Sequence, residues 1–431
     1  MLYYIKIVFI AIFMHCSSFF LYSIFAEENI FTIENAIDYA MRNNLGILSA
    51  QNTILSAKTS IKEAESSKLP KIDTSLSYAH LTEPSAIGLL EKPETYTSKM
   101  SIYQPLYTWN RLTLSVNFAD LNSQVKEIQY AIKKVQLIYD TKAAFYDILL
   151  ARYSLAISED ALTRMDEHLR KTNILFKNGE LSQYDVLQAE IQVYNAKALI
   201  LKNKNILEKN YENFNRIIGR NISLPVEING EFSLDYFSPN VNDAIKNAIL
   251  NRPEISSVIL EKKLVDINYE LSLLKYSPTF SLSNDMSIIE RANKFPPDDK
   301  LVFNWQIGLA LNIPIYYGGI DKIAKEQSEF AIEEIKLKHK NIELEIEAEI
   351  RNTHRVLTES KEIIKLREKN VEIAKEGLRQ AQIRYENNLI PSFEIITAQL
   401  TLTEAKSNYQ QALYDYAIAK AKFIKVVGGE K

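Results

Sequence analysis

Five histidines, one cysteine and many carboxylates are the residues here that could do chemistry, and their spacing argues against catalysis. His15, His80, His168, His339 and His354 form no HExxH and no close pair. Cys16 stands alone, which excludes an intrachain disulfide and a cysteine-based zinc site. No nucleophile–base motif and no glycine-rich phosphate loop occurs. Glu347 and Glu349 sit in a charge-rich helical stretch and read as a solvated face. The expectation is a chain with no catalytic residue, no metal and no cofactor, hence not an enzyme. Two carboxylates are notable for position alone: Asp185 and Glu394 each follow a short turn-like break, where a new helix would begin and its positive N-terminal dipole favours an anion.

The elements holding these positions follow from composition. Across 431 residues, Lys+Arg is 51 and Asp+Glu is 54, a net charge of -3 that argues against nucleic acid as a partner. Apolar residues make up 46% and charged residues 24%, so the composition is that of a folded chain. Only 11 glycines and 12 prolines occur, which favours long helices over a turn-rich β fold. Lys6, the apolar run Ile7–Phe25 and then Ala26-Glu27-Glu28 read as an export signal, residues 1–26. An uncleaved anchor is the other reading, because Ile24 stands where a small residue is usual. Lipidation of Cys16 is opposed by His15 in the preceding position. No other apolar run approaches the roughly 18 residues of a spanning helix, so any further membrane crossing must use strands.

The chain repeats itself. AIDYAMRNNLGI from Ala36 matches AIKNAILNRPEI from Ala244 (244 − 36 = 208), and Pro70 falls on Pro278 at the same offset. QPLY meets NIPIY with Pro105 set on Pro314, and FKNGELSQYDVLQAE from Phe176 meets YENNLIPSFEIITAQ from Tyr385, both at one residue more (314 − 105 = 209; 385 − 176 = 209). The organisation is therefore 27–219 as a first repeat, 220–240 as a connector, 241–428 as a second repeat and 429–431 as a tail.

Each repeat opens with a helical pattern, Thr32 to about Lys68 and Asn242 to about Tyr276, stopped by Pro70 or Pro278. The period then changes to two. Leu301, Phe303, Trp305, Ile307, Leu309, Leu311 and Ile313 alternate with small or polar residues, as do Phe280, Leu282, Met286 and Ile288 before them. Ile72, Leu76 and Tyr78, then Met100 and Ile102, give a weaker version in the first repeat. Strands of this length cross a bilayer at a tilt, for which about 9 to 11 residues suffice. The loop 291–300 holds Pro296-Pro297-Asp298-Asp299 and reads as exposed. Two hairpins supply four strands. That is too few to close a barrel, whose smallest bacterial forms have about eight, so several chains must contribute and three would give twelve.

A very long helix follows each hairpin, Arg111 to Phe176 and about Asp321 to Tyr385. Heptads mark their ends, Leu155, Leu162, Leu169, Phe176 and Ile364, Val371, Leu378, Tyr385. Return helices carry Val186, Val193, Ile200, Leu207, Phe214 and Ile395, Leu402, Tyr409, Tyr416, Phe423 at the same spacing. The turns Asn178–Ser182 and Asn387–Pro391 make each pair an antiparallel helical hairpin.

With these features in order, the chain resembles the TolC-type outer-membrane efflux proteins. The resemblance rests on FTIENAIDYAMRNNLGI, the Leu69-Pro70 stop, QPLY and IPIYYGG at the strand ends, and the two tips. It implies a mainly α fold with membrane β: coiled-coil helices forming a periplasmic α-barrel, and four strands per chain completing a twelve-stranded β-barrel in a homotrimer. It implies outer-membrane lipid around that barrel, a periplasmic membrane-fusion adaptor at the tips, and an inner-membrane pump of RND, ABC or MFS type behind it. The tip residues meeting the adaptor would be Gly179, Glu180, Leu181, Ser182, Asn388, Leu389, Ile390 and Pro391. Asp185 and Glu394 match gating carboxylates, and Tyr385 matches an aromatic that holds the closed state. Ile390 departs from a basic residue and Thr397 from a second aspartate, so the closing contacts differ here. Three Glu394 carboxylates near an axis would repel one another and concentrate cations. The implied function is a passive exit duct for tripartite efflux or type I secretion. The alternative is a periplasmic coiled-coil scaffold or adhesive protein, anchored by its N-terminus and without a channel.

Overall fold

The computed structural model describes residues 30–80, 94–232, 237–292, 301–316, 318–387 and 389–429. The export-signal segment with Cys16, the proline-containing loop 81–93, most of the 291–300 loop and Asn388 lie outside the described residues. In chain order the elements are β1 (Ile30–Phe31), α1 (Ile33–Asn43), α2 (Leu45–Ser66), β2 (Lys71–His80), β3 (Glu94–Tyr107), α3 (Arg111–Lys177), α4 (Gln183–Ile218), β4 (Glu227–Ile228), α5 (Val241–Asn251), α6 (Pro253–Leu274), β5 (Thr279–Ala292), β6 (Val302–Asn312), α7 (Ile320–Glu386) and α8 (Ser392–Val427). The two repeats thus carry the same series of helix, helix, hairpin and helical hairpin.

The long helices α3 and α7 are 67 residues each, roughly 100 Å at about 1.5 Å per residue. Gly377 lies within α7 without interrupting it, and a Cβ there would meet nothing within 4 Å. The opening helical patterns differ from expectation: each is two helices. Arg252 is extended ahead of Pro253, as the proline ring requires, and α6 restarts with that proline. The break at Asn44 has a tertiary cause, since its side-chain amide donates to the carbonyl of Ile217 at 2.7 Å.

The chain divides into two compact units. One comprises the described parts of Met1–Leu45, Lys134–Val241 and Arg351–Lys431. Its core includes Phe31, Phe214 and Ile218, with Phe31 edge-on to Phe214 at 5.6 Å, and β1 and β4 pair in parallel beside it. Gly219 caps α4 at φ 80°, where a Cβ would lie 2.3 Å from the carbonyl oxygen of Asn43, so only glycine fits. Tyr414 of α8 donates to Asp147 of α3 at 2.7 Å, tying these helices far from either tip.

The second unit, Gly46–Lys133 with Asn242–Ile350, holds an antiparallel sheet in the order β2-β3-β5-β6. Its registers put Phe280 opposite Leu311, Leu282 opposite Leu309 and Met286 opposite Trp305, which makes one face apolar. Asn284 falls on that face, and its side-chain oxygen accepts from the indole of Trp305 at 2.8 Å. The other face carries Ser101, Lys99 and Asp285, with Asp285 accepting from Ser101 at 2.7 Å and pairing with Lys99 at 3.1 Å. Strand β3 is irregular between Pro105 and Tyr107, where proline supplies no ladder donor. No helix among the described residues is long and apolar enough to cross a membrane. In this unit Glu349 corrects the expectation of a purely solvated carboxylate: it accepts from the buried Arg252 guanidinium at 2.9 Å, which also binds Glu254. A guanidinium taken out of water needs such partners.

Candidate functional site: the two hairpin tips

The first tip is closed by bonds within a few residues of itself. Gly179 turns left-handed at φ +79°, and its amide donates to Phe176 at 2.9 Å while that of Glu180 donates to Leu175 at 2.9 Å. These two bonds occupy carbonyls that the end of α3 leaves unpaired. Ser182 then caps α4 in a capping box: Asp185 Oδ2 accepts from the backbone amide of Ser182 at 3.1 Å and from its hydroxyl at 2.6 Å, and the amide of Asp185 donates back to Ser182 Oγ at 3.3 Å. Gly179, Glu180 and Ser182 are exposed and Leu181 is half-buried. Asp185 is therefore engaged as the cap partner of its own helix.

The second tip keeps the backbone closure of its first helix but lacks the cap. Leu389 donates to the carbonyl of Arg384 at 2.8 Å, but the N-cap of α8 is Pro391, which makes no side-chain cap bond. Burial takes the place of the cap. Ile390, 7% exposed, joins Leu378, Tyr385, Ile395 and Leu402 in one cluster, with Leu175 of α3 packed against it. Ile390 and Ile395 stand at the positions flanking a helix start that form a hydrophobic staple. The Ile390 side chain turns inward, unlike the exposed apolar side chains of this tip, Leu389 (68%) and Phe393 (64%). Glu394 is half-buried in the first turn of α8, and Pro391 is exposed.

Between α3 and the second tip lies a polar contact that apolar periodicity does not reveal. His168 is 3% exposed, and its Nε2 is 2.9 Å from Ser392 Oγ at the start of α8. Its ring lies 5.4 Å from that of Tyr385, which is itself buried. The wholly buried side of α3 here is Ser158, Ala161, Met165, His168 and Thr172, at alternating steps of three and four, whereas Leu155, Leu162 and Leu169 are only half-buried and Phe176 is exposed. Around the contact, Lys171 pairs with Glu386 at 2.9 Å, Arg164 donates to Thr403 at 2.9 Å, and Asp160 binds both Arg164 and Lys406. Burial pulls the Asp160 carboxyl up, but Lys406 and Arg164 outweigh it and hold it below its ordinary value. Among the described residues no cluster of His, Cys, Asp and Glu is arranged to hold a metal.

The outer membrane efflux protein family matches residues 36–220 and again residues 244–429. The chain belongs to that family. The two matched segments are the two repeats, beginning at Ala36 and Ala244 where the sequence repeats itself. This efflux-family chain is 25% identical over 392 residues to Nodulation protein T of Rhizobium leguminosarum bv. trifolii, covering 88% of this chain and 82% of that one. Its fold is that of the CmeC outer membrane channel of Campylobacter jejuni, with a TM-score of 0.79 at 18% identity, over 93% of this chain and 86% of the other. VceC, an outer membrane protein of Vibrio cholerae, superposes with a TM-score of 0.74 at 14% identity over 92% and 96%. The family places the chain among outer-membrane proteins.

Proposed function

We propose that three copies of this efflux-family chain form the exit duct of a tripartite efflux or type I secretion system. The observation that carries the proposal is the sheet β2-β3-β5-β6, which has one apolar face, strands of 10 to 14 residues and edges at β2 and β6. Lipid cannot solvate an open edge, so β6 of one chain pairs with β2 of the next, and three chains close twelve strands. The helical hairpins of each chain join those of its neighbours as a tube through the periplasm. A periplasmic adaptor docks on the tip residues, the exposed Gly179, Glu180 and Ser182 with the half-buried Leu181 on one hairpin, and the exposed Leu389 and Pro391 on the other. An inner-membrane pump supplies the energy, and the duct itself does no chemistry. The tips are the constriction. Tyr385 holds the second hairpin closed, Glu394 faces the pore from each chain and concentrates cations, and Asp185 serves mainly as a helix cap.

The test is mass in detergent of protein extracted from separated membranes, with and without heating. An outer-membrane trimer that keeps its mass until heated is expected. A monomer in the inner-membrane fraction would overturn the proposal and favour the anchored coiled-coil scaffold.

A further inference from the structure

We propose that His168 is a proton-operated latch on the second-repeat tip: its neutral imidazole joins α3 to the start of α8, and protonation of the ring releases that joint. The inference rests on reading the tip as the constriction, and it adds the signal that opens it.

The geometry is that of a buried joint with one ring nitrogen left unpaired. Nε2 of His168 is engaged with Ser392 at 2.9 Å and lies 3.5 Å from Thr172 Oγ1, whereas Nδ1 is buried without a hydrogen-bond partner. Three more buried atoms nearby also lack one: Arg164 Nε, Tyr385 Oη and Gln399 Oε1. All four residues line one small cavity of about 40 Å³. Ser392, itself 2% exposed, is the first residue of α8 and directly follows the uncapped Pro391. The His168–Ser392 bond therefore links α3 to the one tip that no capping box secures.

Burial, with the surrounding charges, makes a proton on this ring unfavourable while the joint is closed. On α3 itself, Arg164 lies one turn before His168 and Lys171 one turn after, with Glu167 exposed beside them. From α7 come Tyr385 and Glu386, and Glu386 is already paired with Lys171. The α8 residues at the cavity, Ile395 and Gln399, are uncharged. Asp160, the carboxylate next along, is engaged by Arg164 and Lys406. Burial, then Lys171, pushes the imidazole down to about 4. A folded-state value below the free value of 6.5 means that the joint has its full strength above about pH 6.5 and loses it as the pH falls towards 4. At pH 5 the two values weaken the closed joint about 30-fold per chain relative to neutral pH. The latch occurs once per chain, because the equivalents of His168, Tyr385 and Ser392 in the other repeat are Gly377, Phe176 and Gln183.

The test uses the full trimer and His168→Gln, which keeps a hydrogen-bonding side chain but cannot titrate. Amide hydrogen exchange, corrected for its intrinsic pH dependence, is compared at pH 7 and pH 5 over residues 389–396, with 178–186 as the internal reference. Single-channel conductance is recorded in parallel. The expected result is a loss of protection of about 30-fold at 389–396 in the wild type at pH 5, with raised conductance, and neither change in His168→Gln. Equal pH dependence in the two proteins, or unchanged protection at 389–396, would overturn the latch. A trimer with the expected exchange but no conductance at any pH would instead count against the duct.

Discussion

At the tip of the first repeat, a left-handed glycine and a Ser182–Asp185 capping box close the turn, with every bond reaching five residues or fewer. At the equivalent place in the second repeat, a proline stands where the serine was, and the turn is held by Ile390 in an apolar cluster and by Ser392 on His168 of α3. The first arrangement is self-contained, so its turn can persist whatever its neighbours do. The second depends on the packing of α3, α7 and α8, so moving a helix undoes it. A duplicated unit has thus produced one tip capped by its own residues and one held by tertiary packing, and the latter carries the polar joint.

Substitutions can break this contrast from either side. The largest effect is expected from Ile390→Ala, which removes most of a buried side chain from the cluster at a cost of about 2–5 kcal/mol. Hydrogen exchange should show 389–396 exposed while 178–186 stays protected; loss of protection at both tips would mean that they are not independent. Gly179→Ala should cost about 1–2 kcal/mol through its left-handed backbone alone, since open space surrounds the position. That loss should be confined to 176–186 in the same exchange experiment. Ser182→Ala removes one half of the capping box for about 1 kcal/mol, again at the first tip only. The smallest effect is expected from Lys171→Met, because the exposed pair with Glu386 contributes under about 1 kcal/mol, and raised salt should leave the second tip's protection nearly unchanged.

Much of the fold is legible in the sequence because its elements are long and their periods clean. Pro70 and Pro278 mark the helix stops, the alternation through Trp305 marks β6, and Asn178–Ser182 and Asn387–Pro391 are the turns observed. The break before Pro253 was passed over by the helical reading, although the preference of the residue ahead of proline for extended backbone signals it. The break at Asn44 was not, because it depends on a hydrogen bond 173 residues away in sequence. The pairing of β3 with β5, which joins the hairpins of the two repeats, is likewise long-range.

At the tips, periodicity misdirects. The leucine heptad on α3 is half-buried, while its fully buried side contains serine, histidine and threonine, residues that an apolar pattern passes over. Ile390 was readable as a helix-start staple from its spacing to Ile395. His168 had no such signal, since its partner Ser392 lies 224 residues away.

The central claim, that this chain forms a duct closed at the second-repeat tip, is tested most directly by single-channel conductance of the purified trimer in a planar bilayer, wild type against Tyr385→Ala. The substitution empties the centre of the second-tip cluster and leaves the first tip intact, and heat-resistant trimer mass controls for folding. The account predicts a severalfold rise in conductance. A correctly assembled Tyr385→Ala trimer with unchanged conductance would contradict it.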